Sequence, residues 1–159
     1  MTNPTPRVLS INTSPGGIPK LPVESIAITT EGLEGDGHDH EKHALPIQAV
    51  CLFDRETLDE LVAEGFNLMP GSLGENLTVE GLRNLECAIG DRLRLEGGVE
   101  LEITKPRKPC YVLDALDPTL QNALQGRSGW KAKVLTPGTL ATGETIKHIP
   151  AKIQGQNVS

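Results

Sequence analysis

The stretch Ile103–Tyr111, I-T-K-P-R-K-P-C-Y, holds the residues whose types could do chemistry most directly. Lys105, Arg107 and Lys108 crowd ahead of Cys110, with Pro106 and Pro109 between them. Proline fixes its own φ and biases the residue before it toward extended geometry, so Lys105 and Lys108 are expected in a stiff, extended loop. Fixed positive charge stabilises a thiolate, the form of cysteine that attacks electrophiles and binds metals. Cys110 is therefore the candidate nucleophile and metal ligand, and the three cations are candidates to hold an anion. The plainer alternatives are surface charge at the end of a hairpin and an inert buried thiol. Cys110 stands in a cationic loop rather than an apolar run, which favours the reactive reading.

Two other stretches carry weaker signals. In P-G-S-L-G-E-N-L-T, residues 70–78, Gly71 and Gly74 can turn backbone N–H groups outward, as loops that hold anions do, and Asn76 can donate and accept. A plain glycine-rich connection into a strand would read the same. In G-L-E-G-D-G-H-D-H-E-K-H, residues 32–43, His38, His40 and His43 have the spacing H-x-H-x-x-H. No helical or strand register converges three rings at that spacing, and structural zinc sites combine cysteines with histidines at other spacings. A polar surface loop and a loop lending one or two histidines to a pocket both remain open. Cys51 reads as a small core residue, Cys87 as ordinary strand packing within residues 85–89, and His148 as solvent-facing.

The elements that must position these residues are mostly strands. Arg7–Asn12 is expected as a first strand and Val23–Thr29 as a second. Ala49–Phe53 is a buried apolar run. Asp54 should cap a helix over 55–64, with Leu58, Leu61 and Val62 on its inner face and Gly65 as the stop. Leu77–Val79 follows. Residues 92–96 and 99–104 alternate on either side of Gly97-Gly98 and predict a hairpin from which the cationic loop hangs. Asp117-Pro118 should start a short helix, Trp130–Val134 alternates, and 143–149 supplies a last strand. Residues 1–7 and 151–159 are expected to be flexible ends around one domain, 8–150.

Composition agrees. A length of 159 residues suits one domain, and 17 glycines with 12 prolines suit a turn-rich β fold. A net charge of -6 argues against a nucleic-acid binder. No run approaches the ~20 apolar residues of a membrane span, and three scattered cysteines without an export signal predict reduced thiols in the cytoplasm.

Taken in order, G-L-E-G-D-G-H at 32, P-G-S-L-G-E-N-L-T at 70, I-G-D at 89 and P-R-K-P-C at 106 resemble the MOSC domain, the C-terminal domain of molybdenum-cofactor sulfurases. The resemblance spans roughly Val8 to Ile149. It implies a closed, pyruvate-kinase-barrel-like β-barrel with two or three short helices, and it implies binding of the molybdenum cofactor (molybdopterin), a pterin with a dithiolene and a terminal phosphate. Cys110 matches the cysteine that ligates molybdenum in some members and has been proposed to carry sulfur in others. The implied cofactor-binding residues are Lys105, Arg107, Lys108, Gly74, Glu75 and Asn76, with Asp36 and His38 from the histidine-rich loop. The chain has no room for a pyridoxal-phosphate desulfurase domain, and three separated cysteines cannot build a four-cysteine iron–sulfur cluster. Three functions stand open: a carrier of the cofactor or its sulfur that serves a molybdoenzyme, a reductase subunit for N-hydroxylated bases or amines fed by a separate electron-donor protein, and a binding module without chemistry. The sequence does not fix the oligomeric state.

Overall fold

Side chains alternate across a strand, so each strand here offers one face to a core and one to whatever covers the sheet. A computed structural model describes residues 5–14, 20–35, 49–108, 113, 116–127 and 129–151. Cys110, Asp36, His38, His40 and His43 lie outside the described residues, as do both chain ends, 1–4 and 152–159.

The strands are β1 (Arg7–Thr13), β2 (Leu21–Val23), β3 (Ser25–Thr29), β4 (Gly32–Leu33), β5 (Val50–Asp54), β6 (Leu77–Glu80), β7 (Arg92–Leu95), β8 (Glu100–Pro106), β9 (Trp130–Thr136), β10 (Gly138–Ala141) and β11 (Ile146–Ile149). Helix α1 (Arg55–Ala63) follows β5, and α2 (Leu120–Ala123) precedes β9. One sheet runs in the order β11-β7-β8-β9-β5-β6-β1-β2, and a smaller one in the order β10-β3-β4. Pairing is antiparallel except between β5 and β6, whose crossover contains α1.

The mainly β expectation holds. Closure into a barrel is not seen as a continuous ladder among the described residues. The large sheet instead curls until β1 meets the residues before β11 through an isolated bridge between Arg7 and Thr145. Hydrogen bonds from Val8 N–H to the Glu144 carbonyl (2.9 Å) and from Ile146 N–H to the Pro6 carbonyl (2.9 Å) reinforce that seam.

Val8, Ile11, Val50, Leu52, Leu77, Val79, Leu93, Leu101, Ile103 and Ala132 form the main core inside the curl. A second cluster, with Phe53, Leu58, Leu61, Leu73 and Leu120, packs the helices against the other face of β5.

Several expectations change in detail. The second expected strand is two strands in different sheets, broken at Glu24. Val62 is 47% exposed, and Thr57 takes the third inward position of α1 beside Leu58 and Leu61. The short second helix is present, but Asp117 does not cap it: Asp117 Oδ1 accepts from Thr119 N–H (2.8 Å), and α2 starts at Leu120 with Thr119 at its cap position. Residues 86–89 are not a strand; they follow a 3-10 turn at Arg83–Leu85. Among the described residues no helix is long and apolar enough to cross a membrane.

Asp54 does cap α1, accepting from Thr57 N–H at 2.9 Å and from the Thr57 hydroxyl. Asp54→Ala is expected to lower stability by about 1–2 kcal/mol in urea unfolding. Val62→Ala, at an exposed position, should cost less than about 0.5 kcal/mol. Equal losses would contradict the capping assignment.

Candidate functional site

In an antiparallel ladder, directly paired residues point to the same face. Cys51 on β5 pairs with Lys131 on β9, and Lys131 pairs in turn with Lys105 on β8. The three side chains therefore form a row on the face of the sheet away from the main core. The row continues by backbone bonds: Asn76 N–H donates to the Cys51 carbonyl (2.9 Å), and Asn12 N–H to the Asn76 carbonyl (2.7 Å). Asn76 Oδ1 also accepts from Cys51 N–H at 2.9 Å.

Two irregularities aim this row. Strict alternation would put Lys105 on the same face as Ile103, which is fully buried in the core. The register of β8 shifts between Ile103, opposite Ala132, and Lys105, opposite Lys131. That bulge swings Lys105 outward, as such insertions do. The register of β1 shifts likewise between Val8 and Ser10, so Val8 and Ile11 both reach the core while Ser10 and Asn12 face away from it.

Around the row stands a polar scaffold. The Ser10 hydroxyl donates to Asn12 Oδ1 (2.7 Å), and Asn12 Nδ2 donates to the Thr78 hydroxyl (3.1 Å) and the Glu75 carbonyl (3.2 Å). Thr78 in turn donates to Glu75 Oε2 (2.8 Å). The Glu75 side chain is fully buried, and its Oε1 has no hydrogen-bond partner among the described residues. Burial pushes the Glu75 carboxyl above the usual carboxylate range, against the opposing pull of Thr78, the Gly71 and Glu75 amides and the Arg107 charge.

The glycine-rich loop sits over this scaffold. Gly71 has φ +90°, and a Cβ there would come within 2.1 Å of the Lys20 carbonyl oxygen, so only glycine fits the approach. The Gly71 carbonyl accepts from Lys20 N–H at 2.8 Å. The Arg107 guanidinium donates to the Leu73 carbonyl, and Arg107 N–H donates to the Gly129 carbonyl at 2.9 Å. Four cations thus gather: Lys20, Lys105, Arg107 and Lys131. Burial depresses the Lys131 ammonium below the ordinary lysine range; Arg107, Lys105 and Lys20 add to the depression, and Cys51 opposes it. An anion set among these groups would relieve the repulsion.

The structure brings Lys105, Arg107, Glu75, Asn76 and, through its loop, Gly74 to one place. Glu75 and Asn76 lie beneath the surface as supports. Lys108 is exposed and makes no hydrogen bond or ion pair among the described residues. Lys20, Cys51, Asn12, Thr78 and Lys131 join the site without having been singled out from the sequence. Lys131 was legible only as half of an alternating pair with Lys133, a pattern that equally describes a solvated strand face.

Compared with known proteins, the chain matches a family model described as the MOSC domain over residues 39–147. It is 31% identical over 145 residues to the protein YiiM of Escherichia coli K12, covering 84% of this chain and 63% of that one. It is 30% identical over 128 residues to a protein named reductase from Gibberella moniliformis, covering 72% of this chain and 22% of that one. The chain therefore spans less than two thirds of the length of either relative. Among solved structures, YuaD from Bacillus subtilis aligns over 91% of this chain and 96% of its own, with a TM-score of 0.79 and 18% identity, a likeness of fold. YiiM from Geobacillus stearothermophilus aligns over 91% and 75%, with a TM-score of 0.72 and 25% identity.

The buried carboxyl has a consequence for stability. The folded pKa of Glu75 lies above its unfolded value, so its contribution is fully present below that unfolded value and is lost as pH rises through the folded one. Gln at this position keeps an acceptor for Thr78 and removes the titration. In urea unfolding between about pH 4 and 8, Glu75→Gln should gain on the wild type as pH rises. A wild type that gains on the variant with rising pH would contradict this.

Proposed function

The chain belongs to the MOSC domain family, and from that premise we propose that it binds the molybdenum cofactor at the cation row, carrying or handing on the cofactor or its sulfur through Cys110. The observation that carries this reading is the convergence of Lys20, Lys105 and Arg107 on Lys131, which is depressed chiefly by burial and further by those three charges. Building such a cluster costs stability, and a phosphate is the group that would offset the cost. The residues fit the cofactor's chemistry. The lysines serve as point charges for the terminal phosphate, while Arg107 presents a planar fork beside the glycine-rich loop. Asn76, buried and bonded to the Cys51 and Asn12 backbones, holds the glycine-rich loop against the sheet beneath these cations. When bound, the cofactor supplies a redox-active molybdenum held by its dithiolene. Cys110, three residues beyond Arg107, offers a soft sulfur donor suited to such a centre. Cys51 and Cys87 are free thiols, in keeping with a cytoplasmic carrier.

The likeness to a reductase favours a second reading, a molybdenum-dependent reductase subunit for N-hydroxylated bases or amines. Its electrons would come from a separate donor protein.

Protein purified from a host that makes the cofactor tests both. Molybdenum and pterin should approach one per chain and fall about tenfold in Lys131→Met, the order expected for one charge-assisted contact. Cys110→Ser should lose molybdenum while retaining more of the pterin. Arg55→Ala, on the outer helix, should change neither. Absence of metal, pterin and sulfane sulfur from the wild type would end the proposal. Reduction of a hydroxylaminopurine by the loaded protein with an added electron donor would select the second reading.

A further inference from the structure

At the β11 end of the large sheet, using none of the residues of the cation row, Cys87, Asp91 and His148 come together. Cys87 Sγ, an Asp91 carboxylate oxygen and a ring nitrogen of His148 all lie within 4.8 Å of one another. By sequence alone His148 is expected to face solvent. The structure has it paired with Leu93 in the β11–β7 ladder, its side chain 14% exposed and its Nε2 2.7 Å from Asp91 Oδ2. Cys87, read from the sequence as strand packing, follows Glu86, the one non-glycine residue with positive φ (50°) among the described residues. A bulky residue held there is strained backbone that its surroundings must enforce.

The turn between Cys87 and Asp91 is held rigidly. Ala88 N–H donates to Asp91 Oδ2 (3.0 Å) and Asp91 N–H to the Ala88 carbonyl (3.0 Å). Gly90 N–H donates to the Ile103 carbonyl and Ile103 N–H to the Asp91 carbonyl, both at 2.8 Å, so the turn is clamped to β8. The Ala151 N–H binds Asp91 Oδ1 at 2.9 Å. The three donor groups therefore stand on fixed elements, as a metal site requires.

We propose that Cys87, Asp91 and His148 form a site for a zinc-class divalent cation, separate from the cofactor site and independent of the reading of it. One sulfur, one imidazole nitrogen and one carboxylate oxygen are the donors such ions take, whereas magnesium and calcium take oxygen alone. With bonds of about 2.0–2.3 Å and tetrahedral angles, the donor atoms should stand roughly 3.3–3.6 Å apart. The Nε2 to Oδ2 distance need open by well under an ångström, and the others close from within 4.8 Å. The ion takes the place of the hydrogen between His148 Nε2 and Asp91 Oδ2, with the imidazole binding as its neutral Nδ1–H tautomer, and it displaces the proton of the Cys87 thiol to solvent. A thiolate and a carboxylate then balance the charge of the ion. Three protein ligands leave a fourth position for water or an incoming ligand, beside the exposed Ala88 and Ile89.

Titration of the chelator-treated, reduced full chain with cobalt(II) tests the site. One equivalent should bind with a sulfur-to-cobalt charge-transfer band, and zinc should displace it. Cys87→Ser should abolish the band, and His148→Gln should weaken binding at least about tenfold. Cys51→Ala and Cys110→Ser should keep the band. Circular dichroism identifies any variant that fails to fold, and the remaining one of Cys87→Ser and His148→Gln then decides. Absence of the band, or its survival in Cys87→Ser, or unchanged affinity in His148→Gln, would reduce the cluster to a hydrogen-bonded clasp and overturn the proposal.

Discussion

A single extra residue in a strand decides which side chains meet in this protein. Between Ile103 and Lys105 the register of β8 slips against β9, and the alternation that would bury Lys105 behind Ile103 is reversed. Lys105 then faces Lys131, which faces Cys51. The matching slip in β1, between Val8 and Ser10, turns Ser10 and Asn12 to the same side. Hydrophobic burial of Val8, Ile11, Ile103 and Ala132 drives both, because each strand must satisfy the core before and after its bulge. The polar row is thus positioned by the demands of the apolar face beneath it.

What the row holds is costly to hold. Lys131 loses solvation and sits near three further cations, while Glu75, fully buried, keeps one oxygen without a partner among the described residues. Buried charge without full compensation is tolerated where it serves binding rather than stability. The Asn12–Thr78–Glu75 network and the Arg107 contact to the Leu73 carbonyl tie the glycine-rich loop to the sheet. The cations are therefore arranged before any ligand arrives, and little ordering cost is left for binding.

Much of the scaffold could be read from the sequence. Asp54 as helix cap, the hairpin across Gly97-Gly98 and the buried run at Val50–Phe53 follow from local rules, and the structure has all three. The nearness of Arg107 to the glycine-rich loop follows instead from the ordered motifs that mark the family. The partners of Arg107 and Lys105 could not be read. Lys131 and Lys20 meet them only through long-range register, and a bulge leaves no mark that alternation counting detects. Val62 was misplaced because Thr57, with a hydroxyl bound to Asp54, took the inward position instead. His148 was misjudged for a related reason: its partner Asp91 is 57 residues away.

Lys131 stands in this site as a repelled, desolvated cation ready for an anion. Side-chain NMR of the lysine ammonium groups, assigned with Lys131→Met, measures it directly. Lys131 is expected to titrate below the ordinary lysine range and to move back toward that range when inorganic pyrophosphate is added. A Lys131 that titrates with the surface lysines and ignores pyrophosphate would contradict the account.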